Sequence, residues 1–158
     1  MKVSNDNLTL SEKRIIEIKA IVPIIMAFID KFGRDKTLNI LRENIAKVTE
    51  EGGRTTAADM GDNSLDAFAK LLEEFKKENS VEFEIEEQSE NKLKLNVTKC
   101  KFAEIIKELN IDVDLGYELL CARDFAMIKG FNPNIKLTRD KTIMRGDKIC
   151  NFCYELIK

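Results

Sequence analysis

VEFEIEEQSENKLKLNV, residues 81–97, is the stretch on which the fold turns. Val81, Phe83 and Ile85 alternate with Glu82, Glu84 and Glu86, and Leu93, Leu95 and Val97 alternate with Lys92, Lys94 and Asn96. A period of two sends successive side chains to opposite faces, so the segment predicts a β-hairpin. Glutamates on one strand and lysines on the other favour antiparallel pairing across the polar face, and the Val/Phe/Ile/Leu face is left to pack on helices. The charge run reads as a solvated face, not an acidic binding site.

Upstream of the hairpin the period is helical. Ile15, Ile18, Val22, Ile25 and Ile29 form one stripe over residues 11–32, with Ser11 as the candidate N-cap, Pro23 as a kink or division and Gly33 as the stop. A second helix is expected over residues 35–50, ending at Gly52 and Gly53, with residues 54–63 as a loop. A third, over residues 64–77, carries Leu65, Phe68, Leu71, Leu72 and Phe75 on one face. Downstream, residues 101–109 make a short helix and residues 115–128 a longer one, apolar nearly all round and therefore buried. Residues 135–144 and 149–157 read as a second hairpin around Arg145-Gly146-Asp147-Lys148. The order is ααα-ββ-αα-ββ: an α+β fold with helices packed on an antiparallel sheet of two hairpins. The whole of 1–158 reads as one domain, residues 1–79 helical and residues 80–158 hairpin, two helices and hairpin.

A chain of 158 residues, 44% hydrophobic and 34% charged, can bury a core without staples. Its formal charge of -2 supplies no excess of cations for phosphates, so nucleic acid is not the expected partner. The longest apolar run, residues 20–29, contains Pro23 and is far shorter than a membrane span of roughly 20 residues. No membrane partner is expected, and the expected compartment is the cytoplasm. There the four cysteines stay reduced and act as core, catalytic or metal residues.

Cys150-x-x-Cys153 is the most visible motif and geometry weakens it. Three residues apart on a strand, the two thiols point to opposite faces, Cys150 with Phe152 and Tyr154. With no histidine in the chain, classical zinc and haem are disfavoured and no cofactor is expected; a Ser-His-Asp or Cys-His machine is excluded. Cys121 and Asp124 lie three apart on a helix and share a face with Tyr117 and Phe125. A carboxylate set in an apolar helix needs a partner, and Arg139, in alternation with Ile135 and Leu137, takes an inward position on the second hairpin. Such a pair with thiols nearby is either a structural ion pair or the polar end of a small-molecule pocket, and Cys121 is either core or site.

These residues fall into spaced motifs: Cys100-Lys101-Phe102, Leu115-Gly116-Tyr117, Cys121-x-x-Asp124-Phe125, Gly130-Phe131-Asn132-Pro133, Leu137-x-Arg139-x-x-Thr142 and Gly146-Asp147-x-x-Cys150-x-Phe152. The series resembles the L-2-amino-thiazoline-4-carboxylic acid hydrolase family. The resemblance implies hydrolytic opening of a small cyclic amidine, the 2-amino-thiazoline ring, to an N-carbamoyl amino acid. It further implies that Cys121 is a nucleophile or a site-lining thiol and that Asp124 activates water or protonates the ring. Arg139 would bind the substrate carboxylate, and Asn132, Cys100, Cys150 and Tyr117 would line the same pocket. The plan is also similar to vinyl-4-reductase-like domains, which implies the alternative of a non-catalytic ligand-binding or sensor module. The expected partner is thus a small molecule, with a homodimer left open.

Overall fold

The computed structural model describes residues 8–157. Helices α1 (Leu10–Phe32), α2 (Arg34–Met60) and α3 (Leu65–Lys77) precede strands β1 (Val81–Ser89) and β2 (Lys92–Cys100). Helices α4 (Lys101–Glu108), α5 (Val113–Gly116) and α6 (Arg123–Phe131) then precede β3 (Ile135–Thr138) and β4 (Cys150–Leu156). The architecture is the α+β plan expected from the pattern. Its strands form one antiparallel sheet in the order β1-β2-β4-β3.

The order explains which apolar residues the hairpin buries. On β2, an interior strand, Leu93, Leu95 and Val97 are all buried, whereas Ile85 on edge strand β1 is 41% exposed. β1 also bulges twice, at Glu82/Phe83 and Ile85/Glu87, so its alternation slips against β2. The lysines of β2 serve both neighbours: Lys99 pairs with Glu82 of the same hairpin at 3.1 Å and Lys92 with Glu155 of β4 at 3.0 Å. Pairs this exposed each contribute only about 0–1 kcal/mol. The apolar face is what fixes the register.

Against that face pack α3 and α6. Phe68 of α3 lies 5.2 Å from the Phe131 ring of α6 and 5.0 Å from the Tyr154 ring of β4, joining the two helices to the sheet. Leu93, Leu95, Val97, Ile128 and Leu137 complete the same cluster. Ser64 caps α3, its Oγ accepting the Ala67 amide at 3.2 Å.

Three local expectations need correction. Helix α1 begins at a Thr9 cap rather than at Ser11: Thr9 Oγ1 accepts the Glu12 amide at 3.3 Å and Glu12 returns a bond to the Thr9 amide at 2.8 Å. The helix then runs unbroken through Pro23 to Gly33, whose φ is +87°. Secondly, α2 does not stop at Gly52 and Gly53 but passes through both to Gly61. Gly53 is a contact glycine, since a Cβ there would sit 2.3 Å from the Met127 carbonyl oxygen, and one at Gly130 would sit 1.9 Å from that of Glu50. The two helices cross backbone to backbone, and only glycine permits it.

Thirdly, the last hairpin is shorter than its pattern. β3 ends at Thr138 and β4 begins at Cys150. Side chains replace the ladder between them: Asn151 Oδ1 accepts the amides of Asp140 and Lys141 at 3.0 and 2.6 Å, and Asp147 Oδ2 accepts that of Thr142 at 2.7 Å. A 3-10 turn over Ile143–Arg145 and the left-handed Gly146, at φ +96°, close the excursion. Among the described residues no helix is long and apolar enough to cross a membrane.

Candidate functional site

Between α5 and α6 the chain widens into a π-helical turn, Tyr117–Cys121, in which the Ala122 amide reaches the Tyr117 carbonyl at 2.9 Å. The helix expected over residues 115–128 is therefore three pieces, and the wide turn sits among the residues that the motifs single out. Such insertions recur at functional sites because they break the intrahelical ladder and free a carbonyl. The Cys121 carbonyl is the one used here.

Arg139 takes it. Although β3 has already ended at Thr138, the Arg139 side chain is enclosed as Ile135 and Leu137 are, only 2% exposed. Its guanidinium donates to the Cys121 carbonyl at 3.0 Å, to Tyr117 Oη at 3.3 Å and to the Asp124 carboxylate. The rings of Phe152, Phe125 and Tyr117 stand 4.9, 5.1 and 5.6 Å from it. Three of five N–H donors are thus engaged within an aromatic cage that favours a cation. Burial works against the charge, but Asp124 and Tyr117 outweigh it and raise the Arg139 pKa above its ordinary value.

Asp124 is the open side of the pair, with 38% of its side-chain surface exposed. Crowding by protein atoms pushes its carboxyl up from the usual range, and the charges of Arg139 and Arg123 oppose the push. The partly open side chain limits that desolvation, and the neighbouring guanidinium favours the charged form. A caged cation behind and a half-open carboxylate in front give the cluster a direction.

The thiols behave differently. Cys121 is buried, and burial together with the Asp124 charge pushes its pKa up to about 12, against the opposing pull of Arg139. Burial raises Cys100 to about 11, with the Ala103 amide opposing. Both are neutral thiols at physiological pH, which is the wrong state for a nucleophile. Thr142 links Cys121 to Cys150: its hydroxyl donates to Cys121 Sγ at 4.0 Å, and the Cys150 thiol donates to Thr142 Oγ1 at 3.7 Å. The Ile143 amide donates to Cys150 Sγ at 3.2 Å. All four cysteines are free.

Six of the seven residues singled out in the sequence therefore lie in one neighbourhood: Tyr117, Cys121, Asp124, Arg139, Cys150 and Cys100, the last within electrostatic reach of Cys121, Cys150 and Asp124. Asn132 is elsewhere. Its amide donates to the Asn63 carbonyl at 2.9 Å and its Oδ1 accepts the Asn134 amide at 2.9 Å, which makes it the pin of the α6–β3 turn. Cys153 opposes Lys94 and Thr138 across the sheet, away from Cys150, as alternation requires. Sequence reasoning did not assign site positions to Thr142, Phe125 or Phe152, although all three stand inside the spaced motifs. Neither of the two best-formed depressions in the surface includes Asp124 or Arg139; the larger, about 440 Å³, lies between the α1 N-terminus and the start of β1. Among the described residues no group of three or more Cys, Asp or Glu is placed to hold a metal ion.

The model of the L-2-amino-thiazoline-4-carboxylic acid hydrolase family matches residues 13–154. No curated protein matches the chain. Among solved structures, trafficking protein particle complex subunit 3 from Naegleria fowleri, covalently bound to palmitic acid, is similar with a TM-score of 0.53 at 11% identity, over 94% of this chain and 95% of that one. The phenol-responsive sensory domain of the transcription activator PoxR, with phenol, is similar with a TM-score of 0.50 at 9% identity, over 87% of this chain and 73% of that one. Likenesses at such identities concern the fold alone.

Proposed function

The chain belongs to the L-2-amino-thiazoline-4-carboxylic acid hydrolase family, and from that premise we propose that it opens a small cyclic amidine bearing a carboxylate, such as 2-amino-thiazoline-4-carboxylate, with water. The observation that carries the reading is the directed pair: Asp124, 38% exposed, in front of Arg139, 2% exposed. Asp124, whose charged form Arg139 favours, takes a proton from the water that attacks the amidine carbon. For an N-carbamoyl amino acid to result, the water oxygen stays on that carbon as the carbonyl, the ring C=N becomes N–H with one of the water's protons, and the ring C–S bond breaks so that the sulfur leaves with the other as a thiol. The two uncommitted N–H donors of Arg139 suit the substrate carboxylate while the third still holds Asp124. Cys121 is assigned to lining the site, because a neutral thiol at a pKa of about 12 is a poor nucleophile, and Cys150, joined to it through the Thr142 hydroxyl, is assigned there with it.

A second reading is favoured by one observation, the direct Asp124–Arg139 contact away from the best-formed depressions. It makes the cluster the closed resting state of a small-ligand-binding or sensor module. Ring opening creates one new thiol per turnover, so a thiol-reactive dye followed over time on purified protein with 2-amino-thiazoline-4-carboxylate separates the two. Thiol release supports the hydrolase; calorimetric binding without release supports the module; neither binding nor release removes both.

A further inference from the structure

Arg123, the first residue of α6, is a cation for which the fold supplies no counter-charge of its own. The residue is half-buried, its Nε–H is enclosed without an acceptor, and no carboxylate among the described residues forms an ion pair with it. Enclosing a charge without a partner is costly, and a fold that needed only the stem of this side chain could take it from a methionine. Ile15 and Ile18 of α1 pack with Cys121 and bring Arg14 and Glu17 toward the start of α6. Burial lowers the Arg123 pKa, the Arg14 charge lowers it further, and Glu17 and Asp124 oppose them. Both of those carboxylates are already committed elsewhere, Glu17 to Arg14 and Asp124 to Arg139. Along this chain of interactions three arginines face two carboxylates, a surplus of positive charge in a protein whose net charge is -2.

We propose that Arg123, with Arg14 as its neighbour, is an anion-binding residue of the Asp124 site and shares the carboxylate of the ligand with Arg139. The inference rests on the reading above, that the ligand is a small ring bearing a carboxylate, and it names the residue that selects for that group. Arg123 and Arg139 both act on the one Asp124 carboxylate, so an anion placed beside it is within electrostatic reach of both. Three donors of Arg139 are spent on the protein, whereas the Nε–H of Arg123 is spent on nothing. A planar guanidinium with a free edge suits a carboxylate. The surplus charge also works against the wrong ligand: a protonated amidine without an acid group is a cation, and Arg123 repels it.

The test compares 2-amino-thiazoline-4-carboxylate with 2-amino-thiazoline, the same ring without the acid, on the full chain. Affinity is read as KM where thiol is released and by calorimetry where it is not. Wild-type protein should prefer the carboxylate at least about tenfold, Arg123→Gln should lose at least about tenfold of that preference, and Arg123→Lys should keep part of it. Removing an unpaired charge should leave the urea midpoint unchanged or raised. A wild-type protein without the preference, or one that binds neither ring, overturns the proposal. So does an Arg123→Gln protein that keeps the preference; with a lowered midpoint, that result makes Arg123 a structural residue. Thiol release with the preference kept in Arg123→Gln retains the hydrolase and removes this inference, whereas a lost preference without thiol release from the wild type retains this inference and removes the hydrolase.

Discussion

Helix α1 and the Arg139 cluster invert one another. The first is the most apolar segment of the chain and much of it faces outward; the second holds a guanidinium and a carboxylate, and its cation is almost wholly enclosed. Transfer energies alone would place both the other way round. What places Arg139 inside is a full set of partners: a carboxylate, a carbonyl freed by the π turn, a phenol hydroxyl and three ring faces. What leaves α1 bare is the lack of a facing element among the described residues. Burial follows the partners available, and a charge with partners is better housed than an isoleucine without them.

The comparison can be broken first at the crossing of α2 and α6, which positions Asp124. Gly130→Leu would drive a side chain into the Glu50 carbonyl, and a loss of more than about 3 kcal/mol in urea denaturation is expected, because backbone cannot retreat as a side-chain end can. Next in size is Arg139→Met, which keeps the volume but strands Asp124 against apolar neighbours. A loss of about 3 kcal/mol is expected, less if Asp124 turns outward through its exposed side. A loss below about 1 kcal/mol would mean that the pair contributes little to folding.

Alkaline pH sharpens the contrast without mutation. Cys121 and Cys100 ionise near 9 when unfolded and near 12 and 11 when folded. Their contribution to stability is complete below pH 9 and is lost as pH rises from there toward the folded values, because the unfolded chain then binds fewer protons than the native one. Chemical denaturation should therefore show stability falling above about pH 9, and a Cys121→Ala/Cys100→Ala protein should show a shallower fall. The smallest effect is expected at Cys153, outside the cluster: Cys153→Ser should change stability by no more than about 0.5 kcal/mol.

How much of this was legible in the sequence depended on whether the cause was local. The β1–β2 hairpin was legible because a period of two needs no knowledge of the rest of the chain. Asp124 and Arg139 were legible as partners for a related reason: helical spacing and strand alternation each point inward, and a buried charge demands a counter-charge. Gly52 and Gly53 were misread because a glycine that ends a helix and one that admits a neighbouring backbone look alike until the neighbour, Gly130, is known. The end of β3 was hidden for a similar reason, since Asn151 and Asp147 take over the backbone amides from a distance in sequence. The π turn has no composition signal. Asn132 was grouped with the site because it lies within a motif, whereas its partners are those of a turn.

The central claim is that the Asp124–Arg139 pair is a working site and not only a strut, and Asp124→Asn tests it most directly when turnover and stability are measured on the same preparation. The variant preserves shape and removes the proton acceptor. Turnover of 2-amino-thiazoline-4-carboxylate per folded molecule should fall by at least about 100-fold, the usual contribution of a general base, with the cooperative unfolding transition retained. A variant that loses stability yet turns over substrate at the wild-type rate per folded molecule would contradict the claim.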